Sequence, residues 1–199
     1  MAFKINNQFG ESMNNNSKLI DVHQLATDQL VALFSTLQAP SIEEMHGEYA
    51  ASMLSQPNPL ATLAGLSLTN PLLPWQSKAF RPVNQLTGRG YNTFLLGRKT
   101  IQLYPMHTLI APSRFDGQPA YQLVYRYFHS LCGAINMVDE IRRLDDGRYL
   151  GIGTWGFNKK QCQIPYPFLL QGPHHDYRGD IGRRRRGFEV SSAQIPALT

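Results

Sequence analysis

Residues 121–155, YQLVYRYFHSLCGAINMVDEIRRLDDGRYLGIGTW, decide the fold class of this chain. Along an extended backbone the side chains alternate between two faces, so Tyr121, Leu123, Tyr125 and Tyr127 share one side. Asp145-Asp146-Gly147 reads as a tight hairpin turn, with the glycine supplying the positive φ such turns need. The stretch is expected to form three strands that double back on one another. A meander of this kind closes readily into a small antiparallel barrel, and such barrels hold ligands in their mouths.

The same reading extends in both directions. Residues 78–82, 91–96, 99–104, 107–111, 120–128, 134–144 and 148–155 each read as strand, separated by Gly88-Arg89-Gly90, Gly97-Arg98, Pro112-Ser113 and Asp116-Gly117. An eighth strand around residues 163–170 would complete an up-and-down barrel, with Pro165 and Pro167 confining it to an edge. Gly47-Glu48-Tyr49 is a further place where a strand can begin. Toward the N-terminus, Val22, Leu25, Leu30, Leu33, Phe34 and Leu37 fall at helical spacing, which predicts an amphipathic helix over 21–37 with Asp21 as its N-cap. Ser41-Ile42-Glu43-Glu44 fits a capping box opening a second, short helix.

Three regions follow. Residues 1–17, polar and rich in asparagine, are expected to be a flexible tail; residues 18–171 form a helix-capped barrel; residues 172–199 form a flexible Arg-rich tail. Within the barrel region, residues 55–76 carry Pro57, Pro59, Pro71 and Pro74 around an apolar run. They read as a long loop holding one short helix, either a lid over one barrel end or a cover for the core.

Composition narrows the function. A chain of 199 residues suits one domain, and its aromatic content of 11% suits a β-rich core or a lined cavity. The net charge of +5 is mild and shows no broad basic face, so no specific nucleic-acid partner is expected. No run of eighteen apolar residues is present to span a membrane, and the first residues lack the apolar core of a secretory signal. Cys132 and Cys162 have neither disulfide-framework nor metal-ligand spacing, and read as buried thiols in a reducing cytoplasm.

Three segments taken together resemble a known arrangement. Gly47-Glu48-Tyr49 follows a helix, Trp75-Gln76-Ser77-Lys78-Ala79-Phe80 comes next, and Asp139-Glu140-Ile141-Arg142-Arg143-Leu144 with Gly147-Arg148-Tyr149-Leu150-Gly151 closes the series. This is similar to the GXWXG-type bacterial domains, which pair a Gly-x-Trp element with a Trp-x-Gly-Lys-x-Phe element; here Tyr49 stands for the first tryptophan and Ser77 for the glycine. The resemblance spans residues 28–155. It implies a calycin-like barrel, of the lipocalin and fatty-acid-binding group, and a cavity rather than a reaction.

The candidate chemistry centres on residues 134–144. One face carries Asn136, Val138, Glu140 and Arg142, the other Met137, Asp139, Ile141 and Arg143, and the pattern leaves open which points inward. If Glu140 and Arg142 do, the guanidinium fork of Arg142 could clamp a ligand carboxylate beside Tyr125 and Tyr127. The plainer reading is a solvent-facing charge pair. Lys78 offers a second anion contact or a surface charge, and Trp155 a cavity wall or a core residue.

These readings add up to a cytoplasmic binding protein for a small hydrophobic ligand, such as a fatty acid or another lipid with a polar head, with no cofactor and no metal. The alternative is an enzyme in which Glu140 is the general acid or base for isomerisation or cyclisation of an apolar substrate. A second alternative is an interaction module acting through Arg183, Arg184, Arg185 and Arg186. His174-His175-Asp176 has no third spaced ligand to make a metal site. The oligomeric state is not legible.

Overall fold

The computed structural model describes residues 20–57 and 73–198. Eight strands close into one antiparallel barrel in chain order: β1 (Gly47–Met53), β2 (Trp75–Pro82), β3 (Thr87–Leu96), β4 (Lys99–Pro112), β5 (Pro119–Val124), β6 (Val138–Asp145), β7 (Arg148–Thr154) and β8 (Tyr166–His175). The fold is the mainly β, calycin-like barrel the sequence predicts. Residues 58–72, which hold most of the expected loop or lid, lie outside the described residues, as do 1–19.

Several elements differ from their sequence reading, each for a local reason. Residues 99–104 and 107–111 are one long strand, because the chain passes Tyr104 in the left-handed region (φ 53°) and continues. The strand expected over 120–128 stops at Val124, and a 3-10 turn over Tyr125–Tyr127 redirects the chain. The strand expected to begin at 134 begins at Val138 instead, because Ser130 caps a short helix α2 (Leu131–Ala134) by accepting the Gly133 N–H at 3.0 Å. (A preceding helix, α1, spans Thr27–Phe34.) The N-terminal helix is shorter than its pattern: Asp21 caps only a 3-10 turn over Val22–Gln24, and the extended backbone at Leu25 and Ala26 separates that turn from α1. Pro167 lies in a strand flanked on both sides, not on an edge, since β8 pairs with β7 and β1 and the Pro167 carbonyl accepts the Leu54 N–H at 3.1 Å.

The hairpin forms as expected. Gly147 adopts φ 72° between β6 and β7, and Arg148 Nε donates to Asp145 Oδ1 at 2.8 Å across it. Ser41 and Glu44 exchange their reciprocal capping bonds at 3.1 and 3.3 Å, over a single turn.

Apolar packing falls on both sides of the wall. Outside, Val22, Leu30 and Phe34 cover Leu150, Ile152 and Leu169 of β7 and β8, while Ile195 covers Ala111 and Val124. Inside, one end of the barrel is filled by Ile42, Met45, Tyr49, Phe80, Met106, Tyr121, Ile141 and Tyr149. Tyr49 lies edge-on to Tyr149 at 5.5 Å, and Phe80 edge-on to Tyr121 at 5.7 Å. The opposite end is not filled, and the polar residues lie between the two.

The segment from Gly172, expected as a flexible tail, runs against the outer wall. Asp180 receives Arg81 Nε at 2.7 Å and Arg89 Nη1 at 3.0 Å, Tyr177 packs at a tilt against Tyr91, and Arg185 N–H donates to Tyr127 O at 2.9 Å.

Candidate functional site

The inward positions follow from register. Tyr49 pairs with Lys78, Lys78 with Asn92, Leu123 with Asp139, and Asp139 with Gly153, so these residues share the lumen face at one level. Strands β2 and β6 stand four apart in a ring of eight, on opposite sides of the barrel. Lys78 reaches across that lumen to Asp139, with Nζ at 2.7 Å from Oδ2 and both side chains 4% exposed.

Each ammonium proton has an acceptor. Lys78 Nζ donates to Asn92 Oδ1 at 2.9 Å, to the Tyr125 hydroxyl at 2.6 Å and to Asp139 Oδ2. Tyr125 in turn donates to Asp139 Oδ2 at 2.8 Å and accepts from Asn92 Nδ2 at 3.2 Å. Burial, reinforced by the Asp139 carboxylate, raises the Tyr125 pKa well above its ordinary value, so the phenol stays protonated and serves as a donor. Trp75, Tyr125 and Phe168 present ring faces 5.0 to 5.4 Å from Nζ. The result is a neutral polar crossbar through the middle of the barrel.

Above the crossbar is a cavity of about 70 Å³. A water needs roughly 10–15 Å³ by this kind of measure, so the space admits a small chemical group and not a folded lipid chain. Its buried floor is Lys78, Asn92, Tyr125, Asp139 and Gly153, and its half-buried rim includes Met53, Trp75, Tyr104, Trp155 and Tyr166. Aromatic pairs brace that rim: Trp75 with Phe168 at 5.8 Å, Phe94 with Tyr104 at 5.5 Å, and Trp155 with Tyr166 at 6.4 Å. Cys132 also lines the cavity, but burial pushes its thiol up to about 12, which keeps it a poor nucleophile.

Three of the residues singled out from the sequence, Lys78, Tyr125 and Trp155, meet in this cavity. Three others stand elsewhere. Arg142 points outward beneath α1, where its five N–H groups go to Asp116, to the carbonyls of Phe34, Gln118 and Pro119, and to no free space. It ties helix to barrel. Glu140, also outward, accepts the Arg114 N–H at 2.9 Å, and burial raises its pKa away from the lumen. Tyr127 stacks on His107 at 4.3 Å on the outer wall, because the 3-10 turn breaks the alternation that would have carried it inward.

Asp139 and Asn92 were not among the residues read as a site. Asn92 is a polar residue at an inward position of β3, flanked on that face by Gly90 and Phe94, which is a usable signal. Among the described residues, no group of three His, Cys, Asp or Glu side chains is placed to hold a metal ion, and no helix is long and apolar enough to cross a membrane.

Neither the family models nor the curated proteins give a match. Among solved structures, this chain is similar to a protein from Thermomonospora curvata, with a TM-score of 0.52 and 16% identity over 74% of this chain and 87% of that one. At that identity the likeness is one of fold.

Proposed function

We propose that the barrel binds a small apolar ligand carrying a polar head, with the head seated on the Lys78–Asp139–Tyr125–Asn92 crossbar and the apolar body against the aromatic rim. One observation carries this reading: a buried ion pair, its ammonium fully bonded, forms the floor of an otherwise apolar cavity. Burying such a pair is no route to stability, since well-packed apolar residues of like volume do as well or better. Buried titratable groups in a cleft are more often kept for recognition or chemistry. The anchoring role given to Arg142 in the sequence reading passes to Lys78 and its partners. Kinship with GXWXG-type domains belongs to the same proposal. Its support is that the Gly47-Glu48-Tyr49 and Trp75-to-Phe80 elements pair as β1 and β2, setting Tyr49 opposite Lys78.

The two tryptophans of the chain, Trp75 and Trp155, both line the cavity. Tryptophan emission therefore reports on this site alone. Titration with a panel of small amphiphiles is expected to give saturable emission changes that Lys78→Met weakens. A panel that leaves the emission flat up to solubility would remove the proposal.

A further inference from the structure

The crossbar carries no net charge and almost no unused hydrogen-bonding capacity. Lys78 spends its three protons on Asn92, Tyr125 and Asp139. Tyr125 spends its one on Asp139. Both bonds to the Asp139 carboxylate land on Oδ2, and among the described residues none is donated to Oδ1, on a residue that lines the cavity. What the floor offers a newcomer is thus an acceptor, with one remaining N–H on Asn92.

Space lies beside that acceptor. The residue opposite Asp139 on β7 is Gly153, which lines the cavity, and a Cβ added there would stand 3.0 Å from Oδ1. Glycine leaves this gap without any need for a left-handed backbone, so the absent side chain matters here for room and not for φ.

Resting on the binding reading above, we infer that the head group is neutral and donates a hydrogen bond to Asp139 Oδ1 beside Gly153: a hydroxyl, an enol or an amide N–H, not a carboxylate. A carboxylate would face the lone pairs of Oδ1 and bring an unpaired negative charge into a site where every positive donor is already committed. A cationic amine would satisfy Oδ1 but leave the site with an uncompensated positive charge. A hydroxyl satisfies Oδ1, accepts from Asn92 and changes no charge. The fatty-acid reading of the sequence is thereby narrowed to small neutral amphiphiles such as short or aromatic alcohols, in keeping with a cavity of about 70 Å³.

Four probes that share one ring separate these cases: toluene, benzyl alcohol, benzoate and benzylamine, each titrated into the whole chain at neutral pH with tryptophan emission as readout. Benzyl alcohol is expected to bind about tenfold or more tightly than either ion, the effect of one unsatisfied buried charge or hydrogen bond. Gly153→Ala is expected to weaken benzyl alcohol by about tenfold through lost room and a lost hydrogen bond, while toluene changes by less than about twofold. Benzoate binding as tightly as benzyl alcohol in the unmodified protein would overturn the neutral-donor inference and leave the cavity reading standing. Silence from all four, toluene included, would overturn both.

Discussion

The two ends of this barrel are made by the same eight strands, yet one is solid and the other hollow. At the solid end, Tyr49, Phe80, Tyr121 and Tyr149 interlock edge to face, and Ile42 and Met45 from the turn before β1 plug the opening. Glu44 seals it by accepting the Tyr149 hydroxyl at 2.9 Å and pairing with Arg143. At the hollow end, aromatic residues are just as plentiful, but they stand around a space, and Trp75, Tyr104, Trp155 and Tyr166 stay only partly buried. The Lys78–Asp139 crossbar lies on the boundary. Close packing of apolar side chains is what makes a barrel stable. A polar bridge that halts the packing halfway lowers stability relative to a filled core, so its presence points to the space above it.

That contrast can be broken most forcefully at its boundary. Lys78→Met strands the Asp139 carboxylate in the lumen and is expected to cost up to about 5 kcal/mol in urea unfolding, whereas Lys78→Met with Asp139→Leu recovers most of the loss. A double variant no better than the single would mean that the bridge holds the barrel together and is not merely tolerated by it. Phe80→Ala at the solid end should cost about 3–5 kcal/mol by leaving a cavity among packed rings. A third experiment sharpens the comparison by placing the pH response outside both ends. Burial, followed by the charges of Arg184 and Arg89, lowers His107 on the outer wall from 6.5 to about 4. The unfolded chain then binds the proton first, so stability holds above about pH 6.5 and falls between 6.5 and 4. The loss is about 1–3 kcal/mol once partial exposure is allowed for. His107→Asn should flatten that part of the stability curve. The smallest effect belongs to the rim: Trp155→Phe should change stability by less than about 1 kcal/mol, because a half-exposed ring gives up little packing. It should also remove about half of any ligand-induced emission change. An equal cost at Phe80 and Trp155 would erase the distinction between the ends.

The barrel itself was legible in the alternation of residues 121–155 and in the Asp146-Gly147 turn, because period-two patterning and turn chemistry are local. The site was legible only in part, and one residue explains why. Counting back from the hairpin pair Asp145–Arg148 without interruption would set Glu140 opposite Gly153 and turn Glu140 and Arg142 into the lumen. The register instead slips between Arg143 and Asp145, and Asp139 takes that place. A one-residue bulge sends every side chain beyond it to the other face. No propensity in Arg-Arg-Leu-Asp announces it. The same non-local character hid the role of Arg142, whose acceptors come from α1 and from the β4–β5 connection, distant in sequence. Tyr127 was misplaced for a local reason, the 3-10 turn that ends the alternation at Val124.

The pairing of β8 with β1 has a consequence for how the molecule is made. Every other strand finds its partner in the strand just before it, but β1 must wait for Tyr166–His175 to emerge before its second row of hydrogen bonds can form. Until then the growing chain is an open sheet with two bare edges and an uncovered aromatic interior, the kind of intermediate that pairs with its neighbours. The crossbar does not share that delay, since Lys78 and Asp139 are both translated before the seam closes. Both partners of the bridge are therefore in place on the sheet before the last strand arrives, and it is closure that dries the lumen around them.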